Sequence, residues 1–231
     1  MTRGEMKQRA RYLLATTRPH PCLVTLALLA FGWIVNYLAQ KIGGQPILVD
    51  LNAVEALDFR NMVRIDLANT EFVPTAILIA FQLVIIILSF GYTGYLLRVV
   101  RGESSGVGNL LDGFGIAGRA IVLTIFIDVL VALASTLLFV PGVILSYAYA
   151  MARRLQMDHP DWSPVRCMRE SRYMMRGHKW DFFVLQLSFL GWFILATIPG
   201  VSVFVKPYVA LTETVFYENL RAAAPQPPYD F

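Results

Sequence analysis

Long apolar runs separated by short polar segments dominate this chain, and their lengths predict membrane-spanning helices. A helix rises about 1.5 Å per residue and the hydrocarbon core of a bilayer is about 30 Å thick, so one span takes about 20 apolar residues with few charges. Residues 73–97 give 25 positions with no acidic or basic side chain. Residues 182–205 give 24, and residues 120–152 give 33 with a single charge, Asp128. Residues 22–38 add 17, extendable to Gln40.

Two runs carry a similar interruption, Val140-Pro141-Gly142 and Ile198-Pro199-Gly200. Proline removes a helical donor and glycine accepts the dihedrals that follow, so each pair reads as a turn. The 33-residue run is also too long for one span. Each interrupted run is therefore expected to be a hairpin of two helices.

The charges orient these spans. Residues 1–20 carry Arg3, Lys7, Arg9, Arg11 and Arg18. Residues 98–119 carry Arg98, Arg101 and Arg119, and residues 153–180 carry seven basic side chains. The positive-inside rule places these three segments in the cytoplasm. Residues 41–72 hold three basic residues against five acids and face outward. The expectation is an all-α, polytopic transmembrane bundle of about six helices in three hairpins, near 21–40, 73–97, 119–139, 142–157, 181–198 and 201–220. Residues 1–220 form one domain and 221–231 a tail, and both termini lie on the cytoplasmic side of the inner membrane. The first helix has a long apolar core containing Trp33 and Asn36, which reads as an uncleaved span rather than a signal peptide. A short amphipathic helix on the outer face is expected in the 41–72 loop.

Composition agrees with this pattern. Of 231 residues, 56% are hydrophobic and 16% charged, against about 25% charged in a typical soluble domain. That excludes a disordered chain and argues against a soluble enzyme. The net charge of +4 reports topology rather than a nucleic-acid partner. Cys22 and Cys167 have no spacing that suits a metal site and read as two unpaired residues.

The segment 158–181 is the most distinctive. Ser163 suits an N-cap, Pro164 the first helical position and Gly177 the stop. On a helix over 164–176, Pro164, Cys167, Met168, Ser171, Met174 and Met175 share one stripe. Arg166, Arg169, Glu170, Tyr173 and Arg176 cover the remainder, with Arg172 on the flank and Lys179 just beyond. The expectation is a helix lying in the plane of the inner leaflet, its cations on anionic lipid headgroups. The same surface also suits a protein partner or a second copy of the chain.

The helices that return to the cytoplasm share interleaved tyrosines and small residues: Gly91-Tyr92-Thr93-Gly94-Tyr95, Ser146-Tyr147-Ala148-Tyr149 and Pro207-Tyr208-Val209-Ala210. A threefold repeat is one reading and compositional coincidence the other. Several stretches resemble an uncharacterised family of bacterial integral membrane proteins, domain-of-unknown-function family 975. They are residues 171–180, Leu187-Ser188-Phe189-Leu190-Gly191-Trp192, Pro207-Tyr208 and Phe216-Tyr217-Glu218-Asn219-Leu220. Pro141-Gly142, Tyr147 with Tyr149, Asp158-His159-Pro160, and Arg101-Gly102-Glu103 followed by Gly113-Phe114 fit the same pattern. The resemblance covers roughly residues 80–220 and implies a polytopic inner-membrane protein with no assigned activity. More distantly, it is similar to membrane domains attached to glycerophosphodiester phosphodiesterases.

Candidate chemistry is sparse. Gly113-Phe114-Gly115-Ile116-Ala117-Gly118 matches a dinucleotide fingerprint, but it follows a polar loop rather than a strand and reads as a closely packed hinge. Asp128 is an intramembrane charge, costly unless paired or functional, with Lys206, Asn36 or Gln82 as candidate partners. Lys206 and Glu213 lie seven residues apart on one helix face. Together, Asp128, Lys206 and Glu213 could line a polar pathway. His20, His159 and His178 have no triad or metal spacing, and no cofactor is implied. The favoured role is a non-catalytic interaction or envelope-associated factor. A small transporter is the alternative, and a lipid-acting intramembrane enzyme the second.

Overall fold

The computed structural model describes residues 2–18, 20–42, 72–137, 139–196 and 200–223. Most of these are helical, and no strand occurs among the described residues. In chain order the helices are α1 (Arg3–Thr16), α2 (Pro21–Ile42), α3 (Phe72–Arg101), α4 (Ala117–Leu137), α5 (Phe139–Tyr149), α6 (Ala152–Asp158), α7 (Pro164–Met174), α8 (Lys179–Leu187), α9 (Leu190–Ala196) and α10 (Ser202–Ala223). A 3₁₀ helix, Val107–Ile116, precedes α4. Within 41–72, the expected amphipathic helix falls outside the described residues.

Two helical stretches, Ala76–Arg101 and Val107–Thr136, are long and apolar enough to cross a membrane, and the number rises to 4 if two bent pairs each count as one span. Only 28% and 22% of their most apolar windows are buried. Ile125, Phe126, Val129 and Leu133 of α4 stay exposed, as do Ile194 and Leu195 of α9. Such surface suits lipid, where apolar side chains need no protein cover. At the other end the chain packs as a soluble core does. Tyr95, Met151, Cys167, Met175, Leu211 and Tyr217 are fully buried there.

Several expected boundaries need correction. The segment 98–119 is not an open loop. Its 3₁₀ helix runs directly into α4 and lies flat against α3, because a Cβ at Gly91 would overlap the Leu110 carbonyl and one at Gly113 would overlap that of Ile87. Of the glycine-rich motif, Gly113 packs closely on α3 while Gly115 and Gly118 have open space around them, and no strand lies beside it among the described residues. Pro141 and Gly142 do not form a turn. They sit in the first turn of α5, where proline's missing N–H has no partner to lose. Gly142 there admits Ser135 of α4, whose hydroxyl a Cβ would strike. Pro199 lies outside the described residues, and Gly200 follows at φ 89°, in the left-handed region.

The expected span at 142–157 is broken between α5 and α6. Ser171 of α7 repairs the break: its Oγ accepts from the Met151 N–H at 3.2 Å and donates to the Ala148 carbonyl at 2.9 Å. The expected span at 181–198 is bent by 46° between α8 and α9. Lys7 of α1 donates there to the Ser188 carbonyl at 3.3 Å and sits 4.4 Å from the Phe189 ring centre. The last expected span, 201–220, lies within α10, which carries Lys206, Glu213 and Glu218 and is not among the helices apolar enough to cross. It is well enclosed, with Tyr208, Leu211, Thr212, Val215 and Tyr217 buried.

The basic N-terminal segment forms a helix, α1. Thr2 and Glu5 form a capping box at its start. Met6 and Ala10 are buried, and Leu13 and Leu14 pack on the same core. Arg11 donates to the Tyr208 hydroxyl at 3.1 Å, and Arg9 to the Val100 carbonyl at 3.2 Å. Tyr95, Tyr147 and Tyr208, one from each tyrosine-rich stretch, are all buried.

The stripe of α7 meets protein rather than lipid, a second correction. Cys167, Met168 and Ser171 are buried against the chain, and Glu170 joins them. Ser163 caps the helix, accepting from the Arg166 N–H at 3.3 Å. Burial pushes the Cys167 thiol up to about 12.

Two outcomes test this packing. In a Cys22→Ala background, iodoacetamide at pH 8 should modify Cys167 at least about 100-fold more slowly in the folded protein than after denaturation. Gly91→Ala should destabilise by about 1–3 kcal/mol through overpacking, whereas Gly108→Ala, with open space around it, should shift stability by less than about 0.5 kcal/mol. Equal effects of the two glycine substitutions would refute the close approach of α3 and the 3₁₀ helix.

Candidate functional site: a charged staple at the polar end

The last turn of α3, the end of α6 and the last turns of α10 converge on Asp158. Gly102, at φ 74°, stops α3 immediately after Arg101, and the Glu103 N–H closes the end on the Arg98 carbonyl at 2.9 Å. Arg101 therefore projects from the helix terminus. Its Nη2 lies 2.8 Å from Asp158 and 2.7 Å from Glu218, and its Nε donates to Glu218 at 2.8 Å. Asp158 also takes Arg221 at 3.2 Å and the Tyr217 hydroxyl at 2.8 Å. Its side chain is only 5% exposed.

Two carboxylates and two guanidiniums thus close on one another across three helices. A buried ion pair is stable only when the remaining lone pairs are also satisfied, and Tyr217 supplies that donor. His159 stacks on Trp162 with ring centres 3.9 Å apart. Burial pushes its imidazole below the ordinary value, although Asp158 beside it acts the other way. Arg166 lies over the same Trp162 ring at 4.2 Å.

A second polar centre lies farther along α10, towards its start. Arg154, 9% exposed, donates to Glu213 at 2.7 Å and to the Ala150 carbonyl at 3.2 Å. Gln186 of α8 donates to the other Glu213 oxygen at 3.3 Å. Glu213 is therefore held by Arg154 and Gln186. Asp128 sits half-buried on α4, where the charge of Arg153 reaches it. Lys206 lies on α10, two turns before Glu213. The contacts around Glu213 do not join these three candidates into one pathway, and the side chain of Asn36 falls outside the described residues. Arg169 and Arg172 are exposed on α7, and Arg176 is exposed in the turn just beyond it, because the helix ends at Met174 rather than at the expected 176; Arg166 and Lys179 are half-buried.

No group of three metal-ligating side chains occurs among the described residues. Sequence reasoning overlooked Arg101, Asp158, Tyr217, Glu218 and Arg221 as a unit. Three of the stretches that carry the family resemblance, Arg101-Gly102-Glu103, Asp158-His159-Pro160 and residues 216–220, meet at this cluster. Their shared destination was the available signal.

Asp158→Asn should lower unfolding stability by about 3 kcal/mol, the lower end for breaking a buried pair, because Arg101 keeps some solvent contact. A double-mutant cycle with Arg101→Gln should return a coupling of at least about 1 kcal/mol in detergent unfolding. Additivity would show that the pair is not coupled.

No curated protein and no solved structure matches the chain. A family model described as "Protein of unknown function (DUF975)" matches residues 75–224, which include α3 from its first turn through α10 and all four charged members of the staple. With well over half of its length matched, the chain belongs to the DUF975 family.

Proposed function

We propose that this chain is a multi-pass inner-membrane protein with no catalytic activity of its own, acting as an interaction or envelope-associated factor through a cationic helix at the cytoplasmic face. Antiparallel crossings with both termini cytoplasmic are the arrangement favoured by the basic residues. Side-by-side contacts support it in three places. Thr25 of α2 meets Tyr92 of α3 at 2.8 Å. Arg119, at the start of α4, donates to the Pro160 carbonyl beyond α6. Phe182 and Phe189 pack on Phe216 and Tyr208 of α10 in antiparallel order. A return within residues 117–160 is what the positive-inside rule requires there.

One observation carries the functional reading. The apolar stripe of α7 is already covered by the chain, so the helix turns outward Arg169 and Arg172, with Arg166 at the edge and Arg176 in the turn that follows. Glu170, the only acid within 164–176, is on the buried side. A row of exposed guanidiniums, of which Arg169 alone has a nearby carboxylate (Glu170, at 4.0 Å), is suited to lipid phosphates, each cation contributing about 1 kcal/mol near an anionic surface. The favoured partner is the anionic headgroup layer of the inner leaflet. The charged side chains inside the chain, by contrast, are largely engaged with one another, which favours a scaffold over a reaction centre.

Native mass spectrometry on protein released from mixed bilayers tests this. The wild type should retain phosphatidylglycerol over phosphatidylcholine. The variant R166Q/R169Q/R172Q/R176Q should lose that preference by at least about tenfold. An unchanged preference would refute the lipid-facing assignment of α7.

A further inference from the structure

A groove of about 530 Å³ opens where the start of α1, the turn before α8 and the end of α10 come together. That volume lies within the range of small-molecule sites, about 300–1,000 Å³. The groove is distinct from both the charged staple and the exposed face of α7. Its floor is apolar, formed by Met6, Phe216, Leu220 and Ala223. Its rim is polar. Arg3 meets Asp181 through Nη2 at 2.9 Å, and His178 meets the same carboxylate through Nδ1 at 3.5 Å. Asn219 also lines the groove, and its Nδ2 is buried with no hydrogen-bond partner.

The rim holds more donors than acceptors. Asp181 is the one carboxylate lining the groove, and Arg3 and His178 already occupy its oxygens. The other guanidinium nitrogens of Arg3 are left to face an incoming group. A ligand must therefore bring acceptors, and a guanidinium selects planar or tetrahedral oxyanions. The adjoining apolar floor selects a hydrocarbon chain behind that head. From these two features we infer that the groove binds an anionic amphiphile, a phosphate monoester or carboxylate carrying a short alkyl chain. The head displaces part of the hold that Asp181 has on Arg3, and the chain runs along Phe216 and Leu220.

Calorimetric titration of the full chain in phosphatidylcholine nanodiscs with hexyl phosphate tests the inference. Saturable one-to-one binding is expected. Arg3→Gln should weaken it by at least about fivefold, and hexanol, which has no anionic head, should bind at least about tenfold more weakly. Ala223→Trp places an indole in the groove from an exposed position and should abolish binding, with an unchanged near-ultraviolet spectrum showing that the fold is kept. The R166Q/R169Q/R172Q/R176Q variant should bind hexyl phosphate as the wild type does, which separates this site from the α7 face. Repeating the titration in nanodiscs containing phosphatidic acid assigns the source. Lost binding identifies a bilayer phospholipid as the occupant, and retained binding a free amphiphile. Wild-type affinity in both Arg3→Gln and Ala223→Trp, or equal affinity for hexanol and hexyl phosphate, would overturn the inference.

Discussion

Asp158 is the constraint around which the polar end is organised. Its carboxylate is almost wholly buried and draws Arg101, Tyr217 and Arg221 towards one point. Those groups lie on α3 and α10, so one side chain at the end of α6 fixes where two other helices finish. Helices in lipid gain little from apolar contact with one another, because the surrounding tails are equally apolar. Directional polar contacts must then set which helices adjoin and at what height. Here they are concentrated at one end of the chain, where a closely packed core is available to exclude water from them.

The same end also repairs broken helices. A backbone group left without a partner costs free energy wherever water is excluded. The α5–α6 break gives up regular bonds near Ala148 and Met151, and the Ser171 hydroxyl serves both groups. At the α8–α9 bend, the Ser188 carbonyl is served by Lys7. Each repair comes from an element outside the apolar runs, α7 in one case and α1 in the other. These two polar helices thus stabilise helices whose own sequences would not hold them straight or complete. Covering the stripe of α7 for this purpose is also what leaves its arginines facing outward.

Much of the local structure was legible. The runs at 73–97 and 120–137 lack interruptions, and a helix is the only way to satisfy their backbone in lipid. Ser163 and Pro164 act on their nearest neighbours, so the start of α7 could be read from them directly, whereas its end falls at Met174, two residues before the expected 176. The helix α1 was legible too, through Thr2 and Glu5 at capping-box spacing and the spaced Met6, Ala10 and Leu13. It was passed over because five basic residues dominated the reading of that segment. The turn at Pro141-Gly142 was misread because proline has two meanings. It ends a helix from the interior and begins one from the first turn, and only the position of the helix start distinguishes them.

The sequence by itself determined an all-helical chain with apolar spans, the place of its basic segments and its family, because these depend on composition and short-range pattern. Tertiary structure alone decided which polar residues meet. Arg101, Asp158 and Glu218 are separated by 57 and 60 positions, and no periodicity links them. Their meeting follows from where α3, α6 and α10 end, which depends on close approaches such as Gly91 to Leu110. Which side of α7 stays exposed was settled in the same way. An amphipathic stripe specifies that one face is covered, and only the packed neighbours specify by what.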